Sequence, residues 1–135
     1  MWICRNDSFL SIVDKGTQPG KLCVRARVKG HIEAVFPVST VLETPENDYA
    51  YRAFIDREEV AQAILDTVKE IRYDNFKNSV DDDDLHCAYG KVWSTMFSYG
   101  LNAERTEPNH HDYYNNRATA EPFSRFRRIV GKKRR

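Results

Sequence analysis

The chain predicts an α+β fold. The expected architecture is a four-stranded antiparallel sheet of ββα-ββα order with helices on one face, followed by a C-terminal helix and an irregular basic tail. Three observations predict it. First, the hydrophobic period changes from about 2 to about 3.6 residues within Tyr51–Tyr73. Second, the same order of residues recurs upstream in Val24–Phe36, VRARVKGHIEAVF. Third, the strand-like runs are separated by clusters of turn residues, DKGTQPGK and TPEND.

In chain order, Phe9–Asp14 reads as the first strand, with Trp2 and Ile3 extending or preceding it across a polar Arg5-Asn6-Asp7 step. Asp14–Lys21 is a loop and Leu22–Val28 the second strand, so the two form a hairpin. Gly30–Phe36 reads as a short helix that Pro37 ends, because proline disfavours helix in the residue before it. Val38–Glu43 and Tyr49–Ile55 give a second hairpin. A long helix follows from Arg57 to about Tyr73, its apolar face built from Val60, Ala61, Ile64, Leu65, Val68 and Ile71. Asp56 and Glu59 have capping-box spacing, in which the Asp56 carboxylate accepts the free amides of the first turn and Glu59 reaches back to the cap residue. The similarity between Val24–Phe36 and Tyr51–Leu65 covers about a dozen residues and fits either an internal repeat or chance.

Asp81–Asp84 precede a last helix, Leu85–Tyr99, for which Gly100 is a natural stop. Four successive carboxylates suggest a cation site, but acids at a helix N-terminus are favoured by its partial positive charge. Adjacent residues also cannot all turn toward one ion. The helix expectation is therefore the stronger. From Asn102 the composition turns polar, and Pro108 and Pro122 break any continuous helix. The domain expectation is one compact unit over 1–100, then a polar linker and basic tail over 101–135.

The chain is long enough for one domain with its own core, and its 41% apolar and 30% charged residues are ordinary for a water-soluble protein. No apolar run approaches the roughly 20 residues that span a bilayer. The N-terminus lacks the pattern of a signal peptide, so the expected compartment is the cytoplasm. Cys4, Cys23 and Cys87 lack metal or redox spacing and read as reduced thiols. The net charge of +1 conceals an asymmetry. Residues 124–135 hold seven of the 21 basic residues and no acid, leaving 14 basic against 20 acidic residues, a charge of −6, on residues 1–123.

Little in the sequence points to catalysis. There is no nucleophile elbow, phosphate-binding glycine loop or H-E-x-x-H spacing. His86 lies beside Cys87, but neighbours on a helix point about 100° apart. His110, His111 and Asp112 form a weak candidate for metal binding. No cofactor is implied.

Two candidate binding surfaces remain. If Val24, Ala26 and Val28 face the helices, Arg25 and Arg27 face away. By the same alternation Arg52 and Phe54 face away when Tyr51, Ala53 and Ile55 face in, and Phe9, Ser11 and Val13 join them. Such a face can neutralise phosphates and stack bases, although the aromatic-rich strand motif of RNA-recognition sheets is absent. Cross-strand acids, the tail or a second subunit would otherwise cover it. The other surface is the tail, where Arg125, Arg127, Arg128, Lys132, Lys133, Arg134 and Arg135 are interleaved with Phe126, Ile129 and Val130. Basic arms of this kind bind phosphate backbones.

Several short motifs carry a resemblance: Met1-Trp2, Phe9-Leu10-Ser11-Ile12-Val13, Val24-Arg25-Ala26-Arg27, Asp48-Tyr49 with Tyr51-Arg52-Ala53, Ile71 with Tyr73 and Asn75-Phe76-Lys77, and Val92-Trp93. Together they resemble a family of small bacterial and phage proteins of unknown function, over roughly residues 1–97. The resemblance implies a compact cytosolic domain and supplies no activity or catalytic residue. The expected function is a non-enzymatic intracellular module that binds an unidentified protein partner. The alternative is a nucleic-acid-binding protein using the tail and the open sheet face. An enzyme would need a pocket joining His86 or Cys87 to acids. An exposed sheet edge also allows a homodimer, and no membrane partner is expected.

Overall fold

The computed structural model describes residues 1–105. Its elements are β1 (Trp2–Cys4), β2 (Phe9–Val13), β3 (Lys21–Ala26), β4 (Leu42–Glu43), β5 (Tyr51–Asp56), α1 (Arg57–Lys69), a 3-10 turn (Lys77–Ser79) and α2 (Asp83–Arg105). The strands form one sheet in the order β1-β2-β3-β5-β4, with every neighbouring pair antiparallel. The class is therefore α+β. Contacts gather Met1–Ser94 into one compact unit, and α2 continues beyond it to Arg105.

The four-stranded ββα-ββα order is corrected in two places. Trp2–Cys4 is a fifth strand in its own right. A tight turn over the polar step, with the Arg5 amide donating to the Ser8 carbonyl at 2.9 Å, folds it back on β2. Gly30–Phe36 is not a helix but a run of turns. The seven residues from a left-handed Gly30 (φ 90°) to Phe36, before Pro37, are too few to repay helix nucleation. The segment instead drops Ile32 and Phe36 into the core. All five strands thus precede both helices.

The expected strand Val38–Glu43 shrinks to Leu42–Glu43. Ser39 turns back through its amide and hydroxyl onto the Phe36 carbonyl, and Val38 is left 89% exposed. The helix expected to run to Tyr73 ends at Lys69, where Arg72 donates to the carbonyls of Lys69 and Ile71. Asp56 makes no side-chain cap; the Arg57 amide is satisfied by the Gly20 carbonyl at 2.9 Å. Gly100 does not stop α2, which runs through it.

The face that α1 covers is apolar. Leu10, Ile12, Val24, Ala26, Ala53 and Ile55 meet Ile32, Phe36 and Val60, with Ala63 and Ile64 packed against them. This is the inward set that period-2 alternation predicts. On α1 the buried stripe is narrower than expected: Leu65, Val68 and Ile71 are exposed. The first turns of α2 are tied to the β1–β2 turn by the buried Tyr89 hydroxyl, which donates to the Ser8 carbonyl at 2.8 Å. An aromatic chain of Tyr73, Phe76 and Tyr89, with centroids 5.8 and 5.3 Å apart, backs that contact. Leu85 is half-buried, whereas Val92, Trp93, Met96 and Tyr99 are exposed, so the apolar residues that α2 buries are Tyr89 and, in part, Leu85. Among the described residues no helix is long and apolar enough to cross a membrane.

Candidate functional site: the open face of the sheet

The face turned away from α1 is built by register. Trp2 lies opposite Ser11, Ser11 opposite Arg25, Arg25 opposite Arg52, and Arg52 opposite Leu42. Residues directly opposite on antiparallel strands share a face. The structure therefore puts Arg25 and Arg52 side by side in one row across five strands. Val13, Cys23 and Phe54 make the next row, and Cys4 pairs with Phe9 in another.

Tyr49 organises the arginines, and sequence reasoning missed it. The Arg25 and Arg27 guanidinium carbons each lie 4.4 Å from the centroid of its ring. Alternation from Tyr51 would send Tyr49 to the helix side. A bend over Asn47–Tyr49 breaks that alternation and brings the ring to the arginines, where it is only 3% exposed. The one signal available was the proline-containing turn immediately upstream, which made the strand's start uncertain.

Each arginine is held by part of its donor set. Arg25 Nη2 donates to Ser11 Oγ at 2.8 Å, Arg52 Nη2 to the Tyr49 carbonyl at 3.2 Å, and Arg27 Nε to the Asp48 carbonyl at 3.3 Å. Among the described residues no carboxylate pairs with any of the three; the ion pairs there are Arg5–Asp7 and Arg57–Asp14. The Nε atoms of Arg25 and Arg52 are shut off from solvent without an acceptor. Arg25 and Arg52 are half-buried and Arg27 is exposed.

Phe54 shares the face but not the cluster. It lines a separate cleft of about 370 Å³ with Lys21, Val38, Thr40 and Leu42. Trp2 is 70% exposed and packs edge-on against Phe9, with centroids 5.9 Å apart. Beside the arginines, burial pushes the Cys23 thiol above its ordinary range, although Arg52, Arg25 and Lys15 pull it back in part. A buried, protonated thiol is a poor nucleophile.

The remaining candidates show structural roles. Asp82 caps α2, its Oδ1 accepting the Leu85 amide at 2.7 Å, with Asp83 and Asp84 in the first turn. His31 Nδ1 accepts the Phe9 amide at 3.2 Å. A second cleft, about 540 Å³, lies between α1 and residues 34–37, and neither cleft is lined by a histidine or cysteine. Among the described residues no three metal-ligating side chains converge. The tail candidates Arg125, Arg127, Arg128, Lys132, Lys133, Arg134 and Arg135, and the group His110, His111 and Asp112, lie outside the described residues. No protein-family model, curated protein or solved structure matches the chain, and the site is read from its own geometry.

Proposed function

We propose that the chain is a non-enzymatic binding module that takes an acidic protein segment on the open face of its sheet. The observation that carries this reading is that, among the described residues, Arg25, Arg27 and Arg52 have no carboxylate partner, three cations gathered round one buried tyrosine. Arginine beside tyrosine is also the composition that dominates protein contacts. The free thiols suit a reducing compartment, the cytoplasm. A bacterial or phage origin rests on the sequence motifs alone.

The test is binding of a fluorescent glutamate-rich peptide to the full-length chain and to an Arg25→Glu/Arg52→Glu variant. Charge reversal is expected to weaken binding at least about tenfold, with the slower dissociation of the native complex lost. Equal binding by both proteins sinks the proposal.

One observation favours nucleic acid as a second reading. Trp2 is an exposed ring on the arginine side, and single-stranded bases stack on such rings. Against it, the Tyr49 ring is only 3% exposed and already holds two guanidinium groups. Tighter, salt-sensitive binding of a single-stranded oligonucleotide, weakened by Trp2→Ala, would decide for nucleic acid.

A further inference from the structure

Arg25 and Arg52 stand directly opposite each other on the adjacent strands β3 and β5. Like charges in that relation repel and destabilise a sheet. The common remedy is a neighbouring carboxylate, but their row continues into Ser11, Trp2 and Leu42, which carry no charge. Asp48 supplies a backbone carbonyl to Arg27 and no ion pair. Ser11 and the Tyr49 carbonyl anchor one end of each guanidinium. Among the described residues the Nη1 atom of each finds no acceptor, and it is not one of the buried unpartnered atoms, in contrast to Nε. Two anchored cations thus stand at paired positions of one row, and a third, Arg27, lies against the same Tyr49 ring as Arg25.

We infer that Arg25 and Arg52 form a notch for the dianionic phosphoryl group of a phosphorylated side chain, so that the acidic segment bound by this face is a phosphorylated one. The inference rests on the binding reading above and deepens it. A phosphate monoester carries about two negative charges at neutral pH and three acceptor oxygens, enough to neutralise both guanidinium groups. A carboxylate neutralises one. A phosphodiester of nucleic acid also carries one charge per phosphate, which separates the two ligand classes. Each arginine brings its Nη1 amine to the phosphoryl oxygens, so the two strands together supply the charge-assisted donors.

The experiment uses the full-length chain. Inorganic phosphate is titrated against acetate at constant ionic strength, with backbone amide shifts of Ser11, Arg25 and Arg52 as the readout. Three peptides of one sequence, bearing phosphoserine, glutamate or serine at the same position, are then compared with an oligonucleotide that has no terminal phosphate. Saturable shifts with phosphate are expected, and phosphoserine should bind at least about tenfold tighter than glutamate. That advantage should shrink between about pH 7.5 and 5.5, because the second phosphate proton titrates near pH 6. Arg52→Gln should abolish the advantage, and Arg52→Lys should restore only part of it. Unchanged circular dichroism shows that both variants fold.

The notch is overturned if phosphate shifts these amides no more than acetate does, if phosphoserine and glutamate bind equally, or if the oligonucleotide binds more tightly than the phosphopeptide. Arg52-dependent binding of the glutamate peptide with no phosphoserine advantage overturns the notch and leaves the protein-binding reading standing. Saturable phosphate binding at Arg52 with no binding of any peptide overturns the protein-binding reading and leaves the phosphoryl notch.

Discussion

Asp7 receives two hydrogen bonds from the Arg5 guanidinium, from Nε at 2.9 Å and from Nη2 at 3.0 Å, and one from the Ser8 hydroxyl at 2.8 Å. The Arg5 bond is the largest influence, and it holds the Asp7 carboxyl below its ordinary range. A carboxyl with a lowered folded pKa contributes stability above its unfolded value, about 3.9, and loses that contribution as pH falls through the folded value. Melting temperatures measured from about pH 5 to pH 2 should therefore fall less steeply for Asp7→Asn than for the parent chain. The side chain is half-exposed, so the difference should stay below about 1 kcal/mol. Tyr89 is the stronger contact: its buried hydroxyl donates to the Ser8 carbonyl, and burial raises its pKa. Tyr89→Phe leaves that carbonyl without its donor and should cost about 1–2 kcal/mol in urea denaturation. At this scale the sequence was partly legible. Alternation alone put Arg25, Arg27, Arg52 and Ser11 on one side of the sheet; the register agrees for Arg25, Arg52 and Ser11, whereas Arg27 lies past the end of β3 and has no strand partner. Tyr49 was hidden because its orientation depends on a bend, and bends have no period.

Elements were legible where a long periodic run met a clear boundary. β2, β3, β5 and the start of α1 fall within one or two residues of expectation. They failed where the segment was short. Gly30–Phe36 carries helical spacing, yet its apolar residues serve the core equally well from turns, and seven residues gain little from helix bonds. Trp2–Cys4 has too few residues for a pattern, and only the hairpin with β2 makes it a strand. Two helix starts also contrast. The capping-box spacing at Asp56 is not used: its side chain makes no cap, and the first amide of α1 is held by the Gly20 carbonyl. At α2 the aspartate run does cap, through Asp82. Asp82→Ala should therefore cost about 1 kcal/mol by the loss of the Leu85 amide bond, read from the thermal midpoint. Asp56→Ala should cost less than about 0.5 kcal/mol, because no side-chain cap is removed.

One sheet divides the labour of the whole molecule between its two faces. The face under α1 holds the fully buried Leu10 and Val24, and Leu10→Ala there should cost about 2–5 kcal/mol through lost burial and the cavity left behind. The opposite face carries an internal conflict: two arginines in direct opposition, each with an Nε shut away from any acceptor. A chain selected for stability alone would place an acid at one of those positions. Replacing Arg52 with Gln removes the repulsion and one unpaired buried donor, and offers Arg25 a carbonyl acceptor across the strand pair. The loss is a single 3.2 Å hydrogen bond to the Tyr49 carbonyl. Arg52→Gln should accordingly raise the thermal midpoint, by about 2–6 °C for a gain of about 0.5–1 kcal/mol, while weakening anion binding. The two readouts must move in opposite directions. If Arg52→Gln lowers both, the arginine supports the fold and the repulsion has already been relieved inside the protein. If the midpoint rises and anion binding falls, stability has been given up at this position for a charge that only an external ligand can use.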